Sequence, residues 1–142
     1  MKTTIVKIIA FALVFMLCFS LFSCSMNSYT AFMLVRTSTA NELNVSFASL
    51  SGALSQKLSN SYTQDTSITV EASLDEGEIE IYYTPGTYDG ELLLCKASAG
   101  DSISVSAGYL TNGESARIIL RVPEGVTAKG GKIRVTIENP TR

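Results

Sequence analysis

From Phe32 onward the chain alternates apolar and polar residues with a period of two. Leu43, Val45 and Phe47 alternate with Asn44 and Ser46, and Ile68, Val70 and Ala72 with Thr69 and Glu71. Ile79 and Ile81 sit among Glu78, Glu80 and Tyr82, and Ile103 and Val105 stand between serines. Ile118, Leu120 and Val122 follow the same rule, as do Ile133, Val135 and Ile137. Successive side chains of a strand point to opposite faces, so this pattern predicts strands with one face on a core and one toward water. Two stretches break it. Phe32 to Val35 and Leu92 to Cys95 are unbroken apolar runs, which predict strands buried on both faces.

Turn residues punctuate the pattern. Asp75-Glu76-Gly77, Pro85-Gly86, Asp89-Gly90, Ala99-Gly100-Asp101, Asn112-Gly113, Glu124-Gly125 and Gly130-Gly131 each supply residues that tolerate positive φ or preset a bend. Asp89-Gly90 between apolar runs is the sharpest hairpin signal. Ala48 to Leu58 is ambiguous. Leu50, Leu54 and Leu58 recur every four residues as on a helix, yet they also share one strand parity. Gly52 would weaken a helix interior by about 1 kcal/mol, which favours strand. Ser67 to Ala72 is echoed by Ser102 to Ala107. The fold class predicted is all-β, a single antiparallel β-sandwich or jelly roll of about eight or nine strands.

The first residues follow another rule. Lys2 and Lys7 precede an apolar run from Ile8 to Phe22, which is about 15 residues and shorter than the ~20 a spanning helix needs. A basic head, an apolar middle and small residues at the end predict a secretory signal. Leu21-Phe22-Ser23-Cys24 resembles the lipobox of bacterial lipoproteins. That resemblance implies cleavage between Ser23 and Cys24, a diacylglyceryl group on Cys24, and an extracytoplasmic domain lipid-anchored to a bacterial membrane in the cell envelope. Cleavage after Ser25 and retention as an uncleaved anchor are the competing readings. The chain then divides into a signal peptide (1–23), a lipidated cysteine and tether (24–31), and a β-sandwich domain (32–142). Cys18 leaves with the signal and Cys95 stays unpaired, which predicts no internal disulfide. Cys95 reads as a small buried hydrophobe.

Composition narrows the function classes. Removing the signal leaves roughly 120 residues, one ordinary domain. Its charge is more negative than the −2 of the whole chain, because Lys2 and Lys7 go with the signal. Such a domain has no electrostatic reason to bind nucleic acid. The chain has no histidine and no tryptophan. A Ser-His-Asp triad is therefore impossible, and the commonest zinc ligand is missing. No Gly-x-Ser-x-Gly elbow, Ser-x-x-Lys pair or phosphate cradle occurs. The expectation is no enzyme, no catalytic residue, no metal and no cofactor.

Two clusters remain as candidates. Glu71, Asp75, Glu76, Glu78, Glu80, Asp89 and Glu91 read as solvated faces paired with Arg117, Arg121, Lys132 and Arg134, or as a calcium site without the regular ligand spacing. Tyr82, Tyr83 and Tyr88 crowd one predicted hairpin with Glu80, while Tyr109 falls in a later loop. Exposed tyrosines could stack on sugar rings while Glu80 takes hydroxyls; tyrosines that cover a sheet edge explain the same residues.

The order Leu50 to Gly52, Asp65 to Val70, Gly77 to Tyr82, the Asp89-Gly90 turn and Gly131 to Ile137 resembles small jelly-roll accessory modules of the pre-peptidase C-terminal type. That resemblance implies a non-catalytic binding or spacing role. The function expected is a surface-displayed lipoprotein acting as a non-enzymatic binding or structural module of the envelope. The alternatives are carbohydrate or cell-wall glycan binding through Tyr82, Tyr83, Tyr88 and Glu80, and an accessory subunit of an envelope protein complex docked by a sheet edge.

Overall fold

A computed structural model describes residues 29–86 and 90–140. The export signal, its cleavage point at Ser23 and Cys24, the lipid on Cys24, and Tyr88 and Asp89 lie outside the described residues. Among those described there are nine strands and no helix. They are β1 (Tyr29–Phe32), β2 (Val35–Ser38), β3 (Glu42–Leu58), β4 (Thr66–Ser73), β5 (Glu78–Pro85), β6 (Leu92–Ser98), β7 (Ser102–Leu110), β8 (Ala116–Arg121) and β9 (Ala128–Ile137). Every pairing is antiparallel.

The strands form an antiparallel β-sandwich joined through β3. The first half of β3 pairs with β9, β9 with β4 and β4 with β7, while β1 and β2 run along the other side of β3. The second half of β3 pairs with β8, then β5, then β6. The first group is called the first sheet and the second group the second sheet. Ala48 to Leu58 is strand, part of the 17-residue β3. Gly52, at φ 85°, lies between the two halves, a backbone conformation open to glycine without a Cβ penalty. The inward set changes parity just before it, between Phe47 and Leu50. Leu43, Val45 and Phe47 face the core before the change, and Leu50, Leu54 and Leu58 after it.

One hydrophobic core fills the space between the sheets. Leu43, Val45, Ile68, Val70, Ile133 and Val135 come from the first, and Ile79, Ile81, Ile118 and Leu120 from the second. The two segments that echo each other in sequence are neighbours in space: β4 and β7 pair Val70 with Val105 and Ala72 with Ile103.

Both unbroken apolar runs depart from expectation. Phe32, Met33 and Val35 are exposed, at 64%, 72% and 60%, and Leu92 and Leu93 are exposed as well. In a two-layer sandwich each strand has one covered face, and no described element supplies a third layer over the other. The runs therefore sit at sheet edges, where only Leu34, Leu94 and Cys95 turn toward the core. Tyr109, expected in a loop, lies on β7.

Candidate functional site

Strand β5 decides the fate of the predicted tyrosine surface. Ile79, Ile81, Tyr83 and Pro85 point inward, and Glu78, Glu80, Tyr82 and Thr84 point outward. Tyr83 is therefore no part of an exposed platform; it is 6% accessible. Its ring lies over Gly108, where any Cβ would meet Leu94 at 2.7 Å and the Tyr83 ring at 3.2 Å. Its Oη accepts a hydrogen bond of 3.1 Å from the Tyr109 N–H. The bulge that makes this possible is on β7, where Ala107 and Gly108 together oppose Ile68 of β4.

Tyr82 and Glu80 do share the outer face of the second sheet, but the surface there is already satisfied. Tyr82 Oη donates to Glu80 Oε2 at 2.6 Å, and Lys96 Nζ lies 3.2 Å from Glu80 Oε1. The Arg121 guanidinium sits 5.0 Å from the centre of the Tyr82 ring and donates two bonds, 2.7 and 2.9 Å, to Glu91. This is a cation–π contact backed by a bidentate ion pair. The Tyr82 hydroxyl, followed by Lys96, holds the Glu80 carboxyl below its ordinary range, and Glu80 in turn raises the Tyr82 phenol. Neither group is poised for proton transfer near neutral pH. Arg121 covers one face of Tyr82, the one described tyrosine that faces outward here.

The outer face of the first sheet carries the more open site. A groove of about 580 Å³ crosses β2, β3, β9, β4 and β7, within the range of roughly 300–1,000 Å³ common to ligand clefts. Its hydrogen-bonding walls are Thr37, Asn44, Ser46, Ser73, Ser102 and Ser104, with Glu71, Lys132 and Arg134 among them. Register explains the assembly. Thr37 lies opposite Asn44 and Asn44 opposite Arg134; Arg134 lies opposite Glu71 and Glu71 opposite Ser104. One row of outward side chains thus spans five strands.

Asn44 Nδ2 donates to Glu42 Oε1, and Arg134 Nη2 donates to Glu42 Oε2 at 3.2 Å. Both bonds lower the Glu42 carboxyl, Asn44 more than Arg134. The sequence pattern passes over these residues because each is simply the polar half of an alternation. The usable signal is that most are Ser, Thr or Asn, where a plain solvent face would carry more Lys and Glu.

The remaining candidates resolve into structure. Three of the acidic cluster pair with cations, Glu91 with Arg121, Glu80 with Lys96 and Glu76 with Lys129, and Glu42 pairs with Arg134. Among the described residues no three His, Cys, Asp or Glu side chains come together as a metal site. Tyr109 Oη donates to Asp65 Oδ2 at 2.5 Å, and Asp65 Oδ1 accepts the Asn112 N–H at 2.9 Å. That ties two loops together. Cys95 is half-buried, and burial pushes its thiol up to about 11.

The fold and groove define an all-β module with a ligand-sized surface cleft. No protein-family model matches the chain. No match is found among curated proteins. Among solved structures, the chain is similar to a point mutant of a family 29 carbohydrate binding module complexed with mannohexaose. The two are 12% identical with a TM-score of 0.42, covering 78% of this chain and 77% of that one. Another mutant of that module, complexed with cellulohexaose, is 12% identical with a TM-score of 0.41, covering 80% and 90%. A Podospora anserina GH26-CBM35 β-(1,4)-mannanase is 16% identical with a TM-score of 0.42, covering 82% of this chain and 26% of that one.

Proposed function

We propose that this chain is a non-enzymatic binding module, lipid-anchored through Cys24 at the outer side of a bacterial membrane, and that it takes a glycan in the groove of the first sheet. The observation that carries this reading is the row Thr37, Asn44, Arg134, Glu71 and Ser104 across five strands of one sheet. A glycan presents hydroxyls that both donate and accept, and a row mixing hydroxyls, an amide, a guanidinium and a carboxylate complements it. Because these side chains stand on strands, they are positioned before the ligand arrives, which lowers the cost of binding.

The test is retention of the mature domain on immobilised plant and cell-wall polysaccharides. Arg134→Ala and Asn44→Ala should each weaken binding, the first by about tenfold or more, since a charged hydrogen bond is worth roughly 1.5–3 kcal/mol. Tyr82→Ala should leave it nearly unchanged. Loss with Tyr82→Ala and none with Arg134→Ala would move the site to the second sheet. Absence of retention on every glycan would remove the reading. For the anchor, intact mass of the membrane-extracted chain should show diacylglyceryl on an N-terminal Cys24; an unmodified chain starting at Met26 would refute it.

A further inference from the structure

The outer edge of the first sheet is apolar where the chain enters it. Phe32 and Met33 are 64% and 72% exposed. Met33 takes φ 52°, which interrupts the ladder between the Phe32–Ser49 and Val35–Ser46 pairs. The break leaves Leu34 against the core and turns its two predecessors to the outside. Edge strands in water are ordinarily guarded by charge, especially lysine, or by proline. This one is not. No charged residue occurs anywhere between Lys7 and Arg36.

We propose that Phe32 and Met33 seat in the interfacial layer of the bilayer that holds the anchor, so that the domain rests on the membrane by this edge. The inference depends on the lipid-anchor reading given above. Its occupant follows from reach. A chain covers at most about 3.6 Å per residue, which puts Tyr29 within ~18 Å and Phe32 within ~29 Å of Cys24. An anchor that close keeps the edge at high effective concentration beside the membrane. Transfer of two large apolar side chains out of water is favourable, and the uncharged tether adds no electrostatic cost of its own. Arg36, next along β2, has the length to keep its guanidinium among the headgroups. Tyr109 lies on the far side: β9 runs from Ala128, beside Leu50, to Ile137, beside the Ser67–Tyr109 pair. The sandwich would therefore stand with its Tyr109 end away from the bilayer.

Because the chain has no tryptophan, a single substitution supplies a unique optical probe. The full lipid-modified chain carrying Phe32→Trp, Met33→Trp or Tyr109→Trp is reconstituted into phosphatidylcholine–phosphatidylglycerol vesicles, with or without brominated acyl chains, and flotation is measured in parallel. The expected result is blue-shifted emission from the Phe32→Trp and Met33→Trp chains, most of it lost in brominated lipid. The Tyr109→Trp chain should keep its emission. Flotation with no quenching at 32 or 33 would overturn the membrane-edge proposal while leaving the anchor intact. Quenching replaced by disulfide-free crosslinked dimers through this edge would likewise overturn it, in favour of a second copy. Failure to float would refute the anchor reading, and the edge proposal with it.

Discussion

Tyr82 and Tyr83 are neighbours in the chain with opposite fates, and a one-residue alternation separates them. Composition marks both as candidates for a binding surface; only the pleat tells which faces water. Tyr83 spans the gap between the sheets, so Tyr83→Phe should cost about 1 kcal/mol for the lost bond from the Tyr109 N–H. Tyr83→Ala should cost roughly 3–5 kcal/mol. Tyr82→Ala should cost less than either, because its partners remain solvated. Urea midpoints at constant slope would check all three, and a Tyr82→Ala loss as large as that of Tyr83→Ala would contradict the assignment. Cys95 gives a second residue-scale prediction. Its thiol is pushed up to about 11 by burial alone, so the thiolate that reacts with alkylating agents is scarce at neutral pH. Iodoacetamide at pH 8 should label the native domain far more slowly than the urea-unfolded one, as mass spectrometry would show. Equal rates would mean an open thiol.

At the scale of elements, the strands themselves were legible because each needs only a local alternation. Leu43, Val45 and Phe47 already share one parity, and Leu50, Leu54 and Leu58 the other, so even the change of face along β3 is written in the sequence. The position of a strand within its sheet was not. Phe32 to Val35 and Leu92 to Cys95 look like doubly covered strands, but coverage depends on what packs above the sheet, and that information lies elsewhere in the chain. The groove stayed hidden for the same reason. Thr37, Asn44, Arg134, Glu71 and Ser104 come from five strands and become a row only through long-range register. Register also makes Gly131 indispensable. It lies opposite Phe47, and a Cβ there would come within 2.2 Å of the ring tip. Gly131→Ala should therefore cost about 1–3 kcal/mol by overpacking. The double variant Gly131→Ala, Phe47→Leu should cost less than the two single changes summed, because removing the ring removes the clash. Additive costs in denaturation would show that the clash relaxes by another route.

For the whole molecule, β3 makes the two sheets one folding unit. Both sheets pair with β3, and the core between them is continuous. Urea unfolding should accordingly be two-state, with far-UV circular dichroism and tyrosine fluorescence giving one midpoint. Separate midpoints would show the sheets parting independently. The pH dependence of that midpoint follows from the surface pairs. Glu42, Asp65, Glu80 and Glu91 all have lowered carboxyl values, caused first by hydrogen bonds from Asn44, Tyr109, Tyr82 and Arg121 respectively. A carboxyl lowered by folding binds its proton more readily in the unfolded chain. Its stabilising contribution is complete above the ordinary values of 4.5 for Glu and 3.8 for Asp, and is lost as pH falls through the lower folded values. Lys96, Tyr82 and Tyr109 are raised, by Glu80 for the first two and by Asp65 for the last. Their contribution is complete below the ordinary values of 10.5 for Lys and 10.0 for Tyr, and is lost as pH climbs through the folded ones. The domain has no histidine to titrate between these limits. Cys95 adds to the alkaline loss, because its thiol ordinarily titrates at 9.0 and burial raises it to about 11 in the folded domain. The urea midpoint should therefore be flat from about pH 5.5 to 8 and fall on both sides, with the exposed pairs contributing little because salt screens them. A step in that midpoint between pH 6 and 8 would contradict this account, because the chain has no histidine to produce it.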